Sequence, residues 1–159
     1  MKKLLLFISI LLILSACSNT DRNWKPEGPM ARNLVTFVQK AATMINEEGI
    51  ACFDSFRANI EWNSGDRYIF VWGMDGTRFV YPPDPAGEGK LMLDLKDSEG
   101  KPIGMEFIRI AQQGGGWIHY KWPKPGETKP EWKSTYIFPA TAPNGAGYLV
   151  GSGVYGIKK

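Results

Sequence analysis

Metal-binding and nucleophilic residue types are scarce in this sequence. Its 159 residues include one histidine, His119, and two cysteines, Cys17 and Cys52. A zinc cluster has no ligands to draw on, and histidine-dependent nucleophilic catalysis would rest on a single side chain. There is no G-x-S-x-G elbow and no P-loop. The acidic stretch "DLKDSEG" lacks the alternating oxygen spacing of a calcium loop. Charge of one sign is also lacking. Lys and Arg number 19 against 16 Asp and Glu, a formal net charge of +3, and no basic patch is dense enough for nucleic acid. No enzyme, metal site, cofactor or nucleic-acid partner is expected.

The closing stretch "GYLVGSGVYGIKK" contains G-x-G-x-x-G at Gly151, Gly153 and Gly156. A dinucleotide-binding loop must open a helix whose amides hold the pyrophosphate. Only Ile157, Lys158 and Lys159 follow, so a Rossmann half is excluded. Gly151 and Gly153 instead leave one face of a strand without side chains, with room there for a loop, a ligand or a neighbouring backbone.

Long apolar runs occur once, at the start. In "MKKLLLFISILLILSACSNT", Lys2 and Lys3 precede an apolar run from Leu4 to Leu14 that is too short for a comfortable membrane span. The ending "LSAC" resembles a bacterial lipobox, which implies that residues 1–16 are a lipoprotein signal peptide and that Cys17 carries the lipid anchor. Cleavage there leaves 143 residues with a formal charge of +1, because Lys2 and Lys3 are lost. Residues 17–29, polar and with two prolines, read as a lipid-anchored tether, and residues 30–159 as one domain. Cys52 is then without a disulfide partner and reads as a small buried hydrophobe.

Within that domain, "PMARNLVTFVQKAATMINEEG" predicts a long helix. Leu34, Phe37, Val38, Ala41 and Ile45 form one apolar stripe, Pro29 suits its first position and Gly49 its stop. "DRYIFVWGMDGTRFVYP" predicts a hairpin turning at Asp75-Gly76 in a two-residue type I′ loop, with Gly76 at positive φ. "KPIGMEFIRIAQQG" predicts a short helix, and "GWIHYKW", "WKSTYIF" and "GYLVGSGVY" three strands. The order predicts an α+β domain, a long helix packed on an antiparallel sheet with a short helix between strands 2 and 3. Period-two alternation sets Tyr68, Phe70 and Trp72 on one face of their strand, opposite Ile69 and Val71, and Ile118, Tyr120 and Trp122 on one face of theirs, opposite Trp117, His119 and Lys121. Aromatic bodies with polar tips fit either a pocket for a small, partly polar ligand or a plain second core face.

Several stretches in order, "YIFVWGMDGTRFVYPPDPAGEGKLMLDLKDSEGKP", "GGGWIHYKWPKP", "KSTY" and "GYLVGSGVY", resemble single Cache domains, PAS-like extracytoplasmic sensor modules of bacterial signalling proteins. The resemblance runs from about Leu34 to Tyr155 and implies a small organic acid on the concave side of the sheet. It carries over Tyr120 and Trp122 in the Gly-Trp-x-x-Tyr-x-Trp-Pro pattern, Lys133 and Tyr136 in the Lys…Tyr signature, and Tyr81 before Pro82, where the family frequently has histidine. Trp72 and Phe70 complete the candidate pocket. Lys133 is the best carboxylate partner, and with Lys121 facing away a lone cation points to a monocarboxylate such as acetate, propionate, lactate or pyruvate. Strict alternation puts Lys133 and Tyr136 on opposite faces, so both can line one pocket only across a bulge. Such sensors usually sit between two membrane spans ahead of an output domain. The sequence carries neither, which implies a lipid-anchored module acting with a membrane receptor or transporter. The alternative is a structural or interaction lipoprotein whose pocket is filled by its own side chains.

Overall fold

The computed structural model describes residues 24–157. Helix α1 runs from Pro29 to Glu48, and Gly49 ends it at φ 61°, where only glycine is unstrained. A 3-10 turn over Gly49–Cys52 leads into a six-residue helix, α2, at Phe53–Ala58. The periodicity of so short a segment did not predict it. Strands β1 (Asn63–Ser64) and β2 (Arg67–Tyr68) form a small hairpin. Strands β3 (Phe70–Gly73), β4 (Arg78–Val80), β5 (Gly116–Pro123), β6 (Pro130–Thr141) and β7 (Gly147–Tyr155) form an antiparallel sheet in the order β4-β3-β7-β6-β5. Helix α3 (Gly104–Gln112) lies between β4 and β5 in sequence. This is the predicted α+β arrangement. No helix of the described residues is long and apolar enough to cross a membrane.

The sheet separates two cores, as period two requires. On one face, Ile69, Val71, Val80 and Val150 pack with Val38, Ala41 and Ile45 of α1. On the other, Tyr68, Phe70, Trp72, Ile118, Tyr120, Ile137 and Leu149 pack with Phe107 and Ile110 of α3. Cys52 is buried in the α1 core, where desolvation pushes its thiol up to about 11, so it is inert at neutral pH. The outer edge of β5 is partly covered by the loop at Asp97. Its carboxylate accepts from the Lys121 amide at 3.1 Å, and Lys101 Nζ donates to the His119 carbonyl at 2.8 Å. On the α1 side of β5 and β6, Trp24 rests on His119 with centroids 4.8 Å apart, and His119 stacks on Trp132 at 4.5 Å.

The β3–β4 connection is longer than the two-residue type I′ loop predicted. Gly73 N–H donates to the Thr77 carbonyl, and Met74, Asp75 and Gly76 make the turn. The Asp75 carboxylate accepts from the Thr77 amide and hydroxyl, an Asx turn that lengthens the loop. Gly76 does take a positive φ, 90°. A Cβ there would also stand 2.5 Å from Leu93. Gly76→Val therefore lowers the denaturation midpoint by the equivalent of about 1–2 kcal/mol; an unchanged midpoint would show that the turn tolerates the side chain.

Candidate functional site

The second core is not completely filled. Phe107 of α3 contacts Phe70, Trp72 and Tyr120, with centroids 5.1–5.7 Å apart, and forms the floor of a small cavity. Tyr68, Phe70, Trp72, Tyr81, Tyr120, Trp122 and Lys133 line it, joined by Arg78. Its volume is about 20 Å³, room for a single water. Trp122 Nε1 donates to the Tyr81 hydroxyl at 3.1 Å, and beyond this pair lies an open vestibule of about 340 Å³ between Pro83–Asp84 and Pro123–Gly126.

The polar groups here are unusual for a core. Lys133 is 1% exposed. Its Nζ donates to the Tyr68 hydroxyl at 2.7 Å and lies over the rings of Tyr68 and Tyr155, 4.4 and 5.1 Å from their centroids. Among the described residues no carboxylate pairs with it. Burial pushes its ammonium down to about 7, opposed only by the distant field of Asp66. Arg78 is 6% exposed, its Nε has no partner, and its Nη1 is 4.0 Å from Asp84. Trp72 Nε1 is also buried without an acceptor. Each buried, unpaired donor costs about 1–3 kcal/mol. The cavity is thus rimmed by two cations and an indole N–H, while the hydroxyls of Tyr68 and Tyr81 are already engaged by Lys133 and Trp122.

The strand register decides which of the candidate side chains come together. Strand β6 pairs with β5 without interruption, Tyr120 opposite Lys133 and Trp117 opposite Tyr136. No bulge separates Lys133 from Tyr136, so Tyr136 is excluded from the cavity. It packs on the α1 side, 5.3 Å from Trp117. The other six candidates, Lys133, Tyr120, Trp122, Tyr81, Trp72 and Phe70, converge on the cavity. The irregularity lies in β4 instead, where Val80 pairs with Val71 but Arg78 with Trp72. This bulge puts Arg78 and Tyr81 on the same side, whereas unbroken alternation would separate them. Arg78 was therefore missed, and no pattern in "GTRFVYP" announces it. Lys121 faces away as expected, paired with Glu99 at 2.6 Å.

The terminal glycines acquire a physical role. Gly151 and Gly153 pair with Ile137 and Thr135 on the cavity face. A Cβ at Gly151 would stand 2.2 Å from the Phe70 ring, and one at Gly153 2.4 Å from Lys133 Cε. The bare backbone of β7 is the channel through which the lysine stem reaches the cavity. Gly153→Ala is expected to displace the ammonium. It lowers thermal stability by the equivalent of about 1–3 kcal/mol, the range for overpacking, and weakens any anion held there. An alanine variant with unchanged melting would mean the stem has another route.

Comparison with known proteins places this geometry. The Cache domain family model matches residues 37–156, and that of the prokaryotic membrane lipoprotein lipid attachment site matches residues 1–18. The sensor histidine kinase MctS of Rhizobium johnstonii is 34% identical over 90 residues, 57% of this chain and 19% of that protein. The methyl-accepting chemotaxis protein McpP of Pseudomonas putida is 30% identical over 91 residues, 57% of this chain and 16% of that protein. The chain thus spans under a fifth of the length of these curated relatives. A solved Cache chemosensory domain, described for its carboxylic acid recognition, superposes with a TM-score of 0.58 at 27% identity, covering 79% of this chain and 86% of its own. The periplasmic sensor domain of a chemotaxis protein gives 0.60 at 26% identity, covering 78% and 88%. The lipid attachment site makes the chain an extracytoplasmic, membrane-anchored lipoprotein. With the family model spanning nearly all of its folded part, the chain belongs to the Cache domain family and is related to the sensor domains of chemoreceptors and histidine kinases.

Proposed function

We propose that this chain is a lipid-anchored receptor domain for a small organic acid, which it reports to a signalling or transport protein in the same membrane. The observation that carries this reading is Lys133, a buried cation with no counter-ion among the described residues, facing a cavity shared with Trp72 Nε1. A carboxylate supplies what both lack. The aromatic walls limit the size of the guest and exclude water, which strengthens a charge-assisted contact. The carboxylic acid recognised by one related Cache domain is consistent with the same chemistry here. The proposed role is binding and reporting, not catalysis.

One observation favours a second reading, that of an interaction lipoprotein with a self-filled pocket. The cavity is small and the Tyr81–Trp122 hydrogen bond closes it. The unpaired donors weigh against it, because a permanently filled core gains by replacing them with apolar groups. Calorimetry on the lipidated chain in detergent with short carboxylic acids decides between the two. Binding at micromolar to millimolar concentration supports the receptor, and no binding at tens of millimolar leaves the self-filled pocket.

We also propose Cys17 as the acylated residue. Cys17→Ser is expected to abolish acyl labelling and leave an unprocessed precursor, scored by its slower gel migration. Acylated, processed protein in that variant would move the anchor elsewhere.

A further inference from the structure

The cavity contains a second buried cation, and the family resemblance assigned it no role. We propose that Arg78 forms a second anion subsite and that the ligand is a short dicarboxylate, one carboxylate on Lys133 and the other on Arg78. This deepens the organic-acid reading and rests on it.

The two cations reach the site from different parts of the sheet. Lys133 enters from β6 and Arg78 from β4, an edge strand three positions away in the order β4-β3-β7-β6-β5. They stand on different rings. Lys133 Nζ is 4.4 Å from the Tyr68 centroid and Arg78 Cζ is 4.2 Å from that of Tyr81, and these rings meet edge to face at 5.7 Å. A tyrosine pair thus lies between two anchoring points.

Their surroundings divide the ligand in the same way. Lys133 belongs to the inner cavity alone, whereas Arg78, with Tyr68, Tyr81 and Trp122, lines both the inner cavity and the vestibule. The inner space of about 20 Å³, room for a single water, takes no more than the tip of a head group. The rest of the ligand must extend toward the vestibule, past Arg78. Arg78 lines that path, and its Nε is buried and unpartnered, a directional donor suited to a carboxylate oxygen. Asp84 answers Arg78 only weakly. It is more than half exposed, and 4.0 Å from Nη1 is the outer limit of an ion pair. A monocarboxylate on Lys133 would leave the guanidinium nitrogen buried and unsatisfied, and a second carboxylate removes that cost. The bulge that turns Arg78 inward is therefore a device for specificity.

Butyrate and succinate have the same number of carbons and differ in the second carboxylate. Isothermal titration of the full lipidated chain in detergent at pH 6.5 is expected to show succinate binding at least about tenfold more tightly than butyrate, the lower end for a hydrogen bond to a charged group. Arg78→Gln should shrink that ratio toward one, and Arg78→Lys should keep part of it. Malonate and glutarate then set the spacing. Butyrate binding as tightly as succinate overturns the second subsite and leaves the Lys133 reading standing, and so does an Arg78→Gln variant that weakens both acids equally. Failure of every acid to bind overturns both. The wild-type comparison is decisive by itself if Arg78→Gln does not fold.

Discussion

A Lys133→Met variant is expected to melt at a higher temperature than the wild type and to bind organic acids at least about a hundredfold more weakly. The two effects have one cause. Lys133 is held in a fully buried setting without a carboxylate, and desolvation brings its ammonium from the ordinary 10.5 down to about 7. At about 1.4 kcal/mol per unit, keeping this lysine in the ligand-free fold costs roughly 4 kcal/mol at neutral pH. Methionine has a similar unbranched shape and no charge to desolvate. It forfeits the hydrogen bond to Tyr68 and the contacts with two tyrosine rings, so the net gain is on the order of 2 kcal/mol, several degrees for a domain of this size. Removing one partner of a buried ion pair costs about 3–5 kcal/mol, which sets the loss of affinity. Thermal denaturation without ligand and calorimetry with it measure both. A variant less stable than the wild type would mean that the ammonium has a compensating partner, and unchanged affinity would remove Lys133 from the site.

The second large effect is expected with pH. The bound form needs a charged Lys133, and its ammonium titrates at about 7 in the free protein. Below pH 7 affinity is flat until the ligand itself protonates. Above it, binding must draw a proton from solution and affinity falls toward tenfold per unit, so about fiftyfold between pH 7, where half of the lysine is already neutral, and pH 9. The other titratable groups around the ammonium leave this window clear. Tyr68, Tyr120 and Tyr155 are all shifted upward, first by desolvation, and stay protonated throughout. The stability of the free domain moves the other way. The unfolded chain holds the lysine proton up to about 10.5, so stability rises as pH increases from about 7 toward that value. Proton uptake measured by calorimetry in buffers of different ionisation enthalpy is the check. Affinity constant from pH 7 to 9 would place the anion away from Lys133.

Much of this was legible in the sequence, for physical reasons that also mark the limit. Alternation grouped Phe70 with Trp72 in "YIFVW" and Tyr120 with Trp122 in "WIHYKW" because regular strands leave no choice, and the sheet register brings the two pairs to one side. The same rule, read strictly, already separated Lys133 from Tyr136. The family signature joined them, and the uninterrupted β5–β6 register keeps them apart. Arg78 escaped because one bulge reverses the parity of everything beyond it. Helix α2 escaped because its six residues span less than two turns. The Asp75-Gly76 pair marked the turn, while its length depended on the Asp75 bonds to Thr77.

The contact of Trp24 with His119 sets a length scale for the whole assembly. Between an acylated Cys17 and Trp24 there are seven residue-to-residue steps, at most about 25 Å of chain. A domain secured at Trp24 cannot rise far above the bilayer, and its motion becomes a search within a thin sheet rather than a volume. A weak partner in that membrane then meets it at a local concentration far above that of the same domain set free. For the proposed function, such geometry lets a modest affinity, one too low to survive purification, suffice. It also implies that lengthening the tether would dilute the encounter without altering a single contact.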